Sequence, residues 1–310
     1  MPSKHTSSKI RRSGKVALVG RPNVGKSTLL NAAVGQALAI VSPVPQTTRN
    51  QILGVVPRGE AQIALLDTPG LHKPHSRLGR SMNVAARDAA READVVVYVT
   101  DVPSNPKGPI QVHPGDRTLL TDVGAERPIL LVVNKIDRLK DKAKLLPLLD
   151  ELSKIRDFAA VVPISARTED GVELVLDEVA KLLPEQGPLF GDDMLTDRPI
   201  RFFAAEYVRE QIMLATREEV PHAAGVEIRS FDESGDVVRI EATIHVERDG
   251  QKRILIGEKG AAIKAIGIAA REKIEELLER RVHLELWVEV TPGWTDSPVA
   301  IAELGYGEGR

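Results

Sequence analysis

At 310 residues the chain exceeds the usual size of one domain, so two domains are the first expectation. With 42% hydrophobic and 28% charged residues, its composition excludes a fibrous or disordered chain. The absence of cysteine excludes disulfides and thiolate metal sites, and the net charge of -2 excludes general affinity for polyanions.

Residues 1–13 form a basic N-terminal tail with no apolar stretch after it, so they do not resemble a secretory signal. The longest apolar runs have the length of strands, far short of the ~20 residues that cross a bilayer. We therefore expect a cytoplasmic protein. Its tail is most simply a solvated segment, with contact to nucleic acid or lipid as the alternative.

Short β-branched runs alternate with helix-like stretches from residue 16 onward, as in a sheet whose crossovers are helices. The expected strands are residues 16–19, 51–56, 62–66, 95–99, 129–133 and 161–164. The expected helices are residues 26–34, 81–92, 115–123 and 171–183. This order predicts a doubly wound, mostly parallel α/β domain over residues 14–184, with ligand groups on loops beyond the carboxyl ends of the strands.

A segment rich in proline and glycine, residues 185–199, predicts a linker between two domains. Beyond it we expect a smaller α+β domain, which together with the C-terminal tail covers residues 200–310. Its expected elements are a helix at 206–219, strands at 225–231 and 237–246, an apolar run at 254–256, a helix at 261–280 and a strand at 282–290.

The first strand leads into a loop that matches the pattern G-x-x-x-x-G-K-[ST] and precedes a helix. Its residues are Gly20, Arg21, Pro22, Asn23, Val24, Gly25, Lys26 and Ser27, followed by Thr28. The glycines let backbone N–H groups turn inward at the positive end of the helix, where they can hold phosphate. We expect Lys26 to bridge the β- and γ-phosphates and the Ser27 hydroxyl to bind Mg²⁺.

The strand at 62–66 ends in four residues that can respond to a γ-phosphate. They are Asp67, Thr68, Pro69 and Gly70. A carboxylate at this place can hold Mg²⁺ through a water, and the glycine N–H can contact the γ-phosphate. The polar loop at 42–49 offers Thr48, or else Thr47, as a further Mg²⁺ ligand. Alternatively, residues 67–70 are an ordinary turn and the threonines only open the next strand.

Two later strands end in groups that can recognise a base. Asn134, Lys135, Ile136 and Asp137 follow one strand, and Ser165, Ala166 and Arg167 follow the next. The Asp137 carboxylate can accept from N1–H and the 2-amino group of guanine, whereas adenine offers neither, so guanine is favoured. We expect Lys135 to lie along the base, Asn134 to tie the loop together and the Ala166 N–H to donate to O6. A surface turn or helix cap is the alternative.

The second domain contains a Gly-x-x-Gly turn between two apolar helical stretches. Residues 201–310 carry a net charge of -6, but residues 248–271 around the turn carry +4. Such local positive charge suits RNA phosphates, and an apolar groove could hold about four unpaired nucleotides, as in KH domains. The candidate RNA-binding residues are Arg248, Lys252, Arg253, Ile256, Gly257, Glu258, Lys259, Gly260 and Lys264. Glu258 would repel phosphate unless it points outward, and a plain helix–helix turn is the alternative.

Together these motifs resemble the Era family of bacterial GTPases over nearly the whole chain. The most specific parts are residues 20–28, Gln46-Thr47-Thr48-Arg49, residues 67–70, residues 134–137 and residues 255–260. The resemblance implies a Ras-like GTPase domain and a type II KH domain that binds near the 3′ end of 16S rRNA and helps mature the small ribosomal subunit. It also implies GTP as substrate, GDP as product and partial association with the inner membrane face. We expect a monomer.

One position departs from Ras-type switches. Leu71 stands where those switches carry the glutamine that orients the attacking water, so hydrolysis should be slow or use another device. Asn23 is similar to an asparagine that helps bind K⁺ in related GTPases, and K⁺ could supply the missing positive charge. The catalytic candidates are thus Lys26, Asn23 and Thr48. The alternative for Asn23 is a side chain bonded to its own backbone.

Two other functions share parts of this pattern. An ATP-using small-molecule kinase would carry the phosphate loop, but it would leave residues 134–137 without a task. A GTPase whose second domain docks only protein is the other alternative. Charge reversal at Lys252, Arg253 and Lys259 separates it from RNA binding.

Overall fold

The computed structural model describes residues 10–44, 47–74, 76–103, 108, 110–122 and 127–306. Residues 1–9 of the expected tail, Gln46 of the loop at 42–49 and Val123 at the expected end of a helix lie outside the described residues. The chain forms two compact units. The first comprises Met1–Ala39, Thr48–His72 and Met82–Asp197, and the second comprises Ile40–Thr47, Lys73–Ser81 and Arg198–Arg310.

A six-stranded sheet of order β2-β3-β1-β4-β5-β6 forms the centre of the first unit. Its strands are β1 (Arg12–Val19), β2 (Ile52–Arg58), β3 (Ala61–Asp67), β4 (Val95–Asp101), β5 (Ile129–Asn134) and β6 (Ala160–Pro163). All neighbours pair in parallel except β2 and β3. A tight turn, with Gly59 at a φ of 56°, joins these two as a hairpin, so no helix crosses between them. The expected doubly wound, mostly parallel sheet is confirmed.

The described residues between 10 and 197 form five α-helices. They are α1 (Lys26–Val34), α2 (Arg77–Glu92), α3 (Pro114–Asp122), α4 (Leu145–Ser153) and α5 (Val172–Leu182). The first turn of α2 belongs to the second unit. The expected helices match α1, α2, α3 and α5 with small shifts at their ends, but α4 was not predicted. Pro147 suggests a break there, yet it lies in the first turn of α4, where a backbone N–H has no helical acceptor. Leu145, Leu148 and Leu152 then bury one face of the helix.

The carboxyl ends of the parallel strands place the predicted motifs at one edge of the sheet. Residues of β1, β4 and β5 are almost wholly buried, as expected for strands covered on both faces. Gly20 follows β1, Asp67 ends β3 and Asn134 ends β5. These three strand ends therefore open onto the same region of the first unit.

The segment expected as a linker begins along the edge of this sheet. The Gln62 side chain accepts from the N–H groups of Leu189 and Phe190 at 2.8 and 3.0 Å. The Val55 N–H of β2 donates to the Leu195 carbonyl at 2.9 Å. Residues 189–195 thus cover the outer strand and satisfy part of its backbone.

The second unit contains a three-stranded sheet and, within residues 198–306, five helices, one of which is a single turn. Its strands are β7 (Gly225–Asp232), β8 (Val237–Val246) and β9 (Arg281–Val290), with β7 antiparallel and β9 parallel to β8. Its helices within residues 198–306 are α6 (Ile200–Ala215), the single turn α7 (Val220–Ala223), α8 (Asp249–Ile256), α9 (Ala261–Leu278) and α10 (Pro298–Glu303). Helices α6 and α9 pack on one face of the sheet around Val208, Val238 and Ile274. The expected smaller α+β unit is confirmed, whereas α7 and α10 were not predicted. The helix expected at 206–219 begins six residues earlier and ends at Ala215.

No helix in the described part of the chain combines the length and the apolar character needed to cross a membrane.

Candidate functional site

The candidate phosphate loop lies between β1 and α1 and is built around close backbone approaches. Gly25 caps α1 at a φ of 101°, and a Cβ atom there would lie 2.2 Å from the Asn134 Nδ2 atom. Only glycine fits such a position. The predicted strand, loop and helix thus meet in the arrangement that turns backbone N–H groups toward an anion.

The side chain of Lys26 is buried within this loop. Its Nζ atom donates to the carbonyl oxygens of Gly20 and Arg21 at 3.2 and 3.1 Å. Burial lowers the pKa of Lys26 to about 8, although the nearby Asp67 carboxylate acts in the opposite direction. A cation held by carbonyl oxygens at the start of a helix is suited to an incoming phosphate.

Three oxygen groups expected to hold Mg²⁺ lie together. The Ser27 hydroxyl is 2.8 Å from that of Thr48 and donates to Asp67 Oδ2 at 2.6 Å, and Thr48 donates to the same oxygen at 3.2 Å. Asp67 Oδ1 is buried and has no hydrogen-bond partner among the described residues. Burial raises the pKa of Asp67, although Lys26 and the two hydroxyls oppose this shift. An unpaired carboxylate oxygen beside two hydroxyls is a set of hard ligands that suits Mg²⁺.

The alternative ligand, Thr47, is engaged elsewhere. Its hydroxyl donates to the Val44 carbonyl at 2.6 Å and lies 3.1 Å from the Ser42 hydroxyl. Of the two candidates, Thr48 alone reaches the Ser27 and Asp67 oxygens through a hydrogen bond in the structure. The geometry therefore favours Thr48.

The residues after Asp67 hold the loop against the sheet. Thr68 donates from its hydroxyl to the Leu18 carbonyl at 2.7 Å, and Pro69 and Gly70 are buried. The Leu71 N–H donates to the Gly20 carbonyl at 3.3 Å, while its side chain is packed in the apolar core. An aliphatic side chain in the core cannot orient a water molecule, so another group must do so.

Asn134 joins the candidate base loop to the phosphate loop. Its Nδ2 atom donates to the Val24 carbonyl at 2.8 Å, and its Oδ1 atom accepts from the N–H groups of Lys135 and Ala166 at 2.7 and 3.0 Å. Ile136 is buried beside it. Asn134 therefore connects the two loops by hydrogen bonds, as expected. The Ala166 N–H, which was expected to donate to guanine O6, donates to Asn134 Oδ1 in the structure.

Asp137 lies at the mouth of the base loop with both oxygens engaged. Ser165 donates to Oδ1 at 2.8 Å and the exposed Arg167 to Oδ2 at 2.7 Å. Partial burial opposes ionisation, but these two donors together lower the pKa of Asp137. The carboxylate is therefore charged at neutral pH, as acceptance from a guanine edge requires.

Several polar groups around Arg21 were not predicted from the sequence. Asp101 and Asp116 accept hydrogen bonds from the Arg21 guanidinium and fix its direction, and the Tyr98 hydroxyl donates to Asp116. The one available signal was Asp101, a carboxylate at the end of a central parallel strand, where ligand-binding groups gather. Asp116 and Tyr98 appeared in the sequence as ordinary members of a helix and a strand.

In the second unit, the Gly-x-x-Gly turn is a single 3-10 turn between α8 and α9. Gly257 has a φ of 71° and a ψ of 179°, and a Cβ atom there would lie 2.7 Å from Ala262 Cβ. Glu258 and Lys259 are exposed at the tip of the turn. The turn therefore keeps its backbone bare and lets Glu258 point into solvent, away from the core.

An open groove of about 280 Å³ runs beside the turn. Its lining residues are Ile263, Lys264, Gly267, Ile268, Arg271, Leu284 and Leu286 from α9 and β9. Of the nine candidate RNA-binding residues, only Lys264 lines it. Arg248, Lys252, Arg253 and Ile256 belong to α8 or its N-terminal cap, so they surround the turn and not the groove.

The groove residues on α9 and β9 were missed. Their apolar members follow helical and strand periods, so the sequence alone assigns them to the core. In the structure Ile268 is 44% exposed, and a Cβ on Gly267 would lie 3.4 Å from Leu286. An apolar floor with Lys264 and Arg271 at its side can accept unstacked bases and their phosphates.

Two family models match the chain. Residues 15–135 match the family described as 50S ribosome-binding GTPase, and residues 219–295 match the KH domain. The first match covers the phosphate loop, Asp67 and the start of the base loop, and the second covers the Gly-x-x-Gly turn with its groove.

The chain is similar to known proteins over nearly its whole length. GTPase Era of Stenotrophomonas maltophilia (strain K279a) is 48% identical over 294 residues, which cover 94% of this chain and 97% of that protein. A solved variant of Aquifex aeolicus Era bound to GDP.AlF4- is 40% identical, with a TM-score of 0.90 over 96% of this chain and all of that one. Era in complex with MgGDPNP and nucleotides 1506-1542 of 16S ribosomal RNA is 39% identical, with a TM-score of 0.91 over the same shares.

Proposed function

The chain belongs to the Era family of GTPases, and on that premise we propose a guanine-nucleotide switch that binds the 3′ region of 16S rRNA and assists small-subunit assembly. One observation carries the RNA half of the proposal. Residues 201–310 carry a net charge of -6, yet residues 248–271 around the glycine turn and beside the apolar groove carry +4. In the first unit the reaction is hydrolysis of GTP to GDP and phosphate.

The nucleotide roles follow from the two loops of the first unit. Lys26 and the N–H groups that follow Gly20 hold the β- and γ-phosphates, and Asp137 recognises the guanine edge. When guanine binds, the Asp137 oxygens accept from the base either in place of the hydrogen bonds from Ser165 and Arg167 or in addition to them. Fluorescent GDP should bind and be displaced by GTP or GDP but not by ADP. Displacement by ADP at a similar concentration would contradict this assignment.

Ser27, Thr48 and Asp67 are the residues that would hold Mg²⁺. The fit rests on their oxygen donors and on the buried Asp67 Oδ1 atom, which has no partner among the described residues. The ion neutralises charge on the transferred phosphoryl group when bound. Chelation by EDTA should weaken GDP binding by roughly tenfold or more, and Ser27→Ala should reduce the response to added Mg²⁺. Equal binding with and without the ion would contradict the site.

Asn23 is proposed to help bind K⁺, which would supply the positive charge that an arginine side chain supplies in other GTPases. Its backbone is in the left-handed region at a φ of 60°, its side chain is exposed, and its carbonyl accepts from Lys135 Nζ. Because Leu71 stands in place of the glutamine that orients the attacking water, hydrolysis needs another source of stabilisation. A cation beside Asn23 would compensate the negative charge that develops on the phosphates. Hydrolysis should be faster in KCl than in NaCl at equal ionic strength, and Asn23→Ala should remove the difference. Equal rates for the native chain would contradict K⁺ dependence.

RNA binding is tested by reversing charge around the glycine turn. A variant with Lys252, Arg253 and Lys259 changed to Glu should bind a labelled 3′ fragment of 16S rRNA at least ~100-fold more weakly, while GTP hydrolysis is retained. Arg217→Glu with Arg239→Glu is the matched control, because both residues are exposed in the same unit but outside the turn and groove. Unchanged RNA affinity in the triple variant would favour a protein-docking role for this unit.

Cytoplasmic location, peripheral contact with the inner membrane face and a monomeric state complete the proposal. They rest on the family resemblance, and Lys4 and Lys9 of the N-terminal tail lie outside the described residues. Cell fractionation should recover most of the chain without membranes and a smaller share released from them by salt. Light scattering of the purified chain should give the mass of one copy, and a stable dimer would contradict the last point.

A further inference from the structure

A chain of ion pairs connects the phosphate loop to the base loop through Asp101. Asp101 ends β4, the strand between β1 and β5 in the sheet. One of its carboxylate oxygens accepts from Arg21 Nη2 at 2.8 Å, and the other accepts from Lys135 Nζ at 2.7 Å. Arg21 belongs to the phosphate loop and Lys135 to the base loop. A single carboxylate thus holds one cation from each half of the nucleotide site.

Arg21 is fixed from its other side by Asp116. This carboxylate, only 1% exposed, accepts from Arg21 Nε at 2.9 Å, from the Tyr98 hydroxyl at 2.8 Å and from the Thr100 hydroxyl at 2.7 Å. Burial alone would lower the pKa of Arg21, but Asp116 and Asp101 outweigh burial and raise it. The guanidinium is therefore a permanent charge with a fixed direction, and its donors on this side already have partners.

These contacts decide what Arg21 can and cannot do. A guanidinium held by two carboxylates is not available to reach a γ-phosphate as a catalytic finger, although it lies in the phosphate loop. It can instead keep the loop in place relative to β4. Lys135 is held in the same way, because its Nζ atom also donates to the Asn23 carbonyl in the phosphate loop.

We propose that Asp101 is a positioning residue that sets the distance between the phosphate half and the base half of the nucleotide site. The inference rests on the proposed nucleotide roles of the two loops. A ligand that spans both halves gains affinity when they are held at the right separation beforehand, because less ordering is needed on binding. A ligand that contacts only one half gains little from that separation.

Ligands of different length therefore distinguish the inference from a general loss of structure. In Asp101→Asn, which keeps the shape and removes the charge, the dissociation constant of GDP should rise by roughly 30- to 100-fold. The constants of guanosine, which contacts the base loop, and of inorganic pyrophosphate, which contacts the phosphate loop, should each rise by less than about fivefold. The kcat for saturating GTP should change by less than about threefold, since no reacting atom touches Asp101.

The 310-residue chain is used for every measurement, and Asp150→Asn is the matched control. Asp150 is an exposed carboxylate on α4 that pairs with Lys154 one turn further along the same helix, so its variant should bind all three ligands as the native chain does. Arg21→Ala should show the same pattern as Asp101→Asn, and the double variant should lose less GDP affinity than the two single losses combined. Circular dichroism and thermal unfolding verify that each variant folds.

Three outcomes would overturn the inference. They are native GDP affinity in Asp101→Asn, equal losses for GDP and its two fragments, and additive losses in the double variant. A folded Arg21→Ala variant keeps the question decidable if Asp101→Asn fails to fold. A native chain that binds no GDP would instead overturn the proposed nucleotide roles themselves, and the inference with them.

Discussion

The nucleotide site of the first unit and the groove of the second unit use polar groups in opposite ways. In the first, Asn134 and Asp67 are buried and bonded to neighbouring loops, so each has one position. In the second, Arg253 and Lys259 are exposed around a bare turn. Fixed buried groups discriminate between ligands because a mismatch leaves them unpaired, whereas exposed cations attract any phosphate. Selectivity should therefore depend on single residues in the first unit and be shared among several in the second.

The largest effect should come from Asp137→Asn, which removes the carboxylate proposed to recognise the guanine edge in the first unit. Loss of two charge-assisted hydrogen bonds should weaken GDP binding by ~10²–10⁴-fold. An amide can donate to a 2-oxo group and accept from N1–H, so xanthine nucleotides should gain affinity. Competition against fluorescent GDP measures both. Asp150→Asn is the control, and a change below about tenfold in GDP affinity would show that Asp137 does not recognise the base.

The next effect concerns the backbone of the RNA-binding turn. Gly257→Ala places a Cβ against Ala262 at a φ of 71° and a ψ of 179°, a region that only glycine occupies readily. This should cost ~1–3 kcal/mol of unfolding free energy and weaken RNA binding by roughly tenfold. Gly260→Ala is the matched comparison. Its φ is 80°, but among the described residues no atom lies within 4 Å of the added Cβ, so its effect should be smaller. The reverse order would contradict the structure of the turn.

A single cation in the second unit should matter much less. Lys259→Gln should weaken binding of the 16S rRNA fragment by only ~2- to 5-fold and reduce the steepness of its salt dependence by about 0.7. Filter binding over a range of salt concentrations measures both quantities. A hundredfold loss from this one residue would mean that Lys259 makes a specific contact, and the contrast between the two regions would then fail.

The smallest effect is expected from acidification. The pKa of Asp137 is lowered, so its carboxylate stays charged until the pH falls below the ordinary aspartate range near about 4. Guanosine has no phosphate that titrates in this range, and its affinity should change by less than about twofold between pH 5 and pH 7.5. Equilibrium dialysis at each pH tests this. A steady loss of affinity below about pH 6.5 would mean that the carboxylate becomes protonated far earlier than its two donors allow.

The same contrast explains what sequence could and could not predict. Loops such as residues 20–28 and 134–137 are short contiguous motifs at strand ends, and the structure brings them together at one edge of the sheet. Asp101 and Asp116 bond to Arg21 from distant parts of the chain, and apart from the position of Asp101 at a strand end no local pattern indicates this pairing. The groove residues Ile268 and Leu286 have the spacing of core residues. Helix α4 was not predicted, and it carries Pro147 in its first turn, a position that tolerates proline.

The most direct test measures the salt dependence of both ligands on one preparation of the native chain. Affinities for GDP and for the 3′ fragment of 16S rRNA are determined from about 50 to about 300 mM KCl. RNA affinity should fall with a logarithmic slope of about -3 to -4, because several exposed cations release counterions, and GDP affinity with a slope shallower than about -1. If RNA binding were as insensitive to salt as GDP binding, the basic surface around Gly257 would not be the site where RNA phosphates bind.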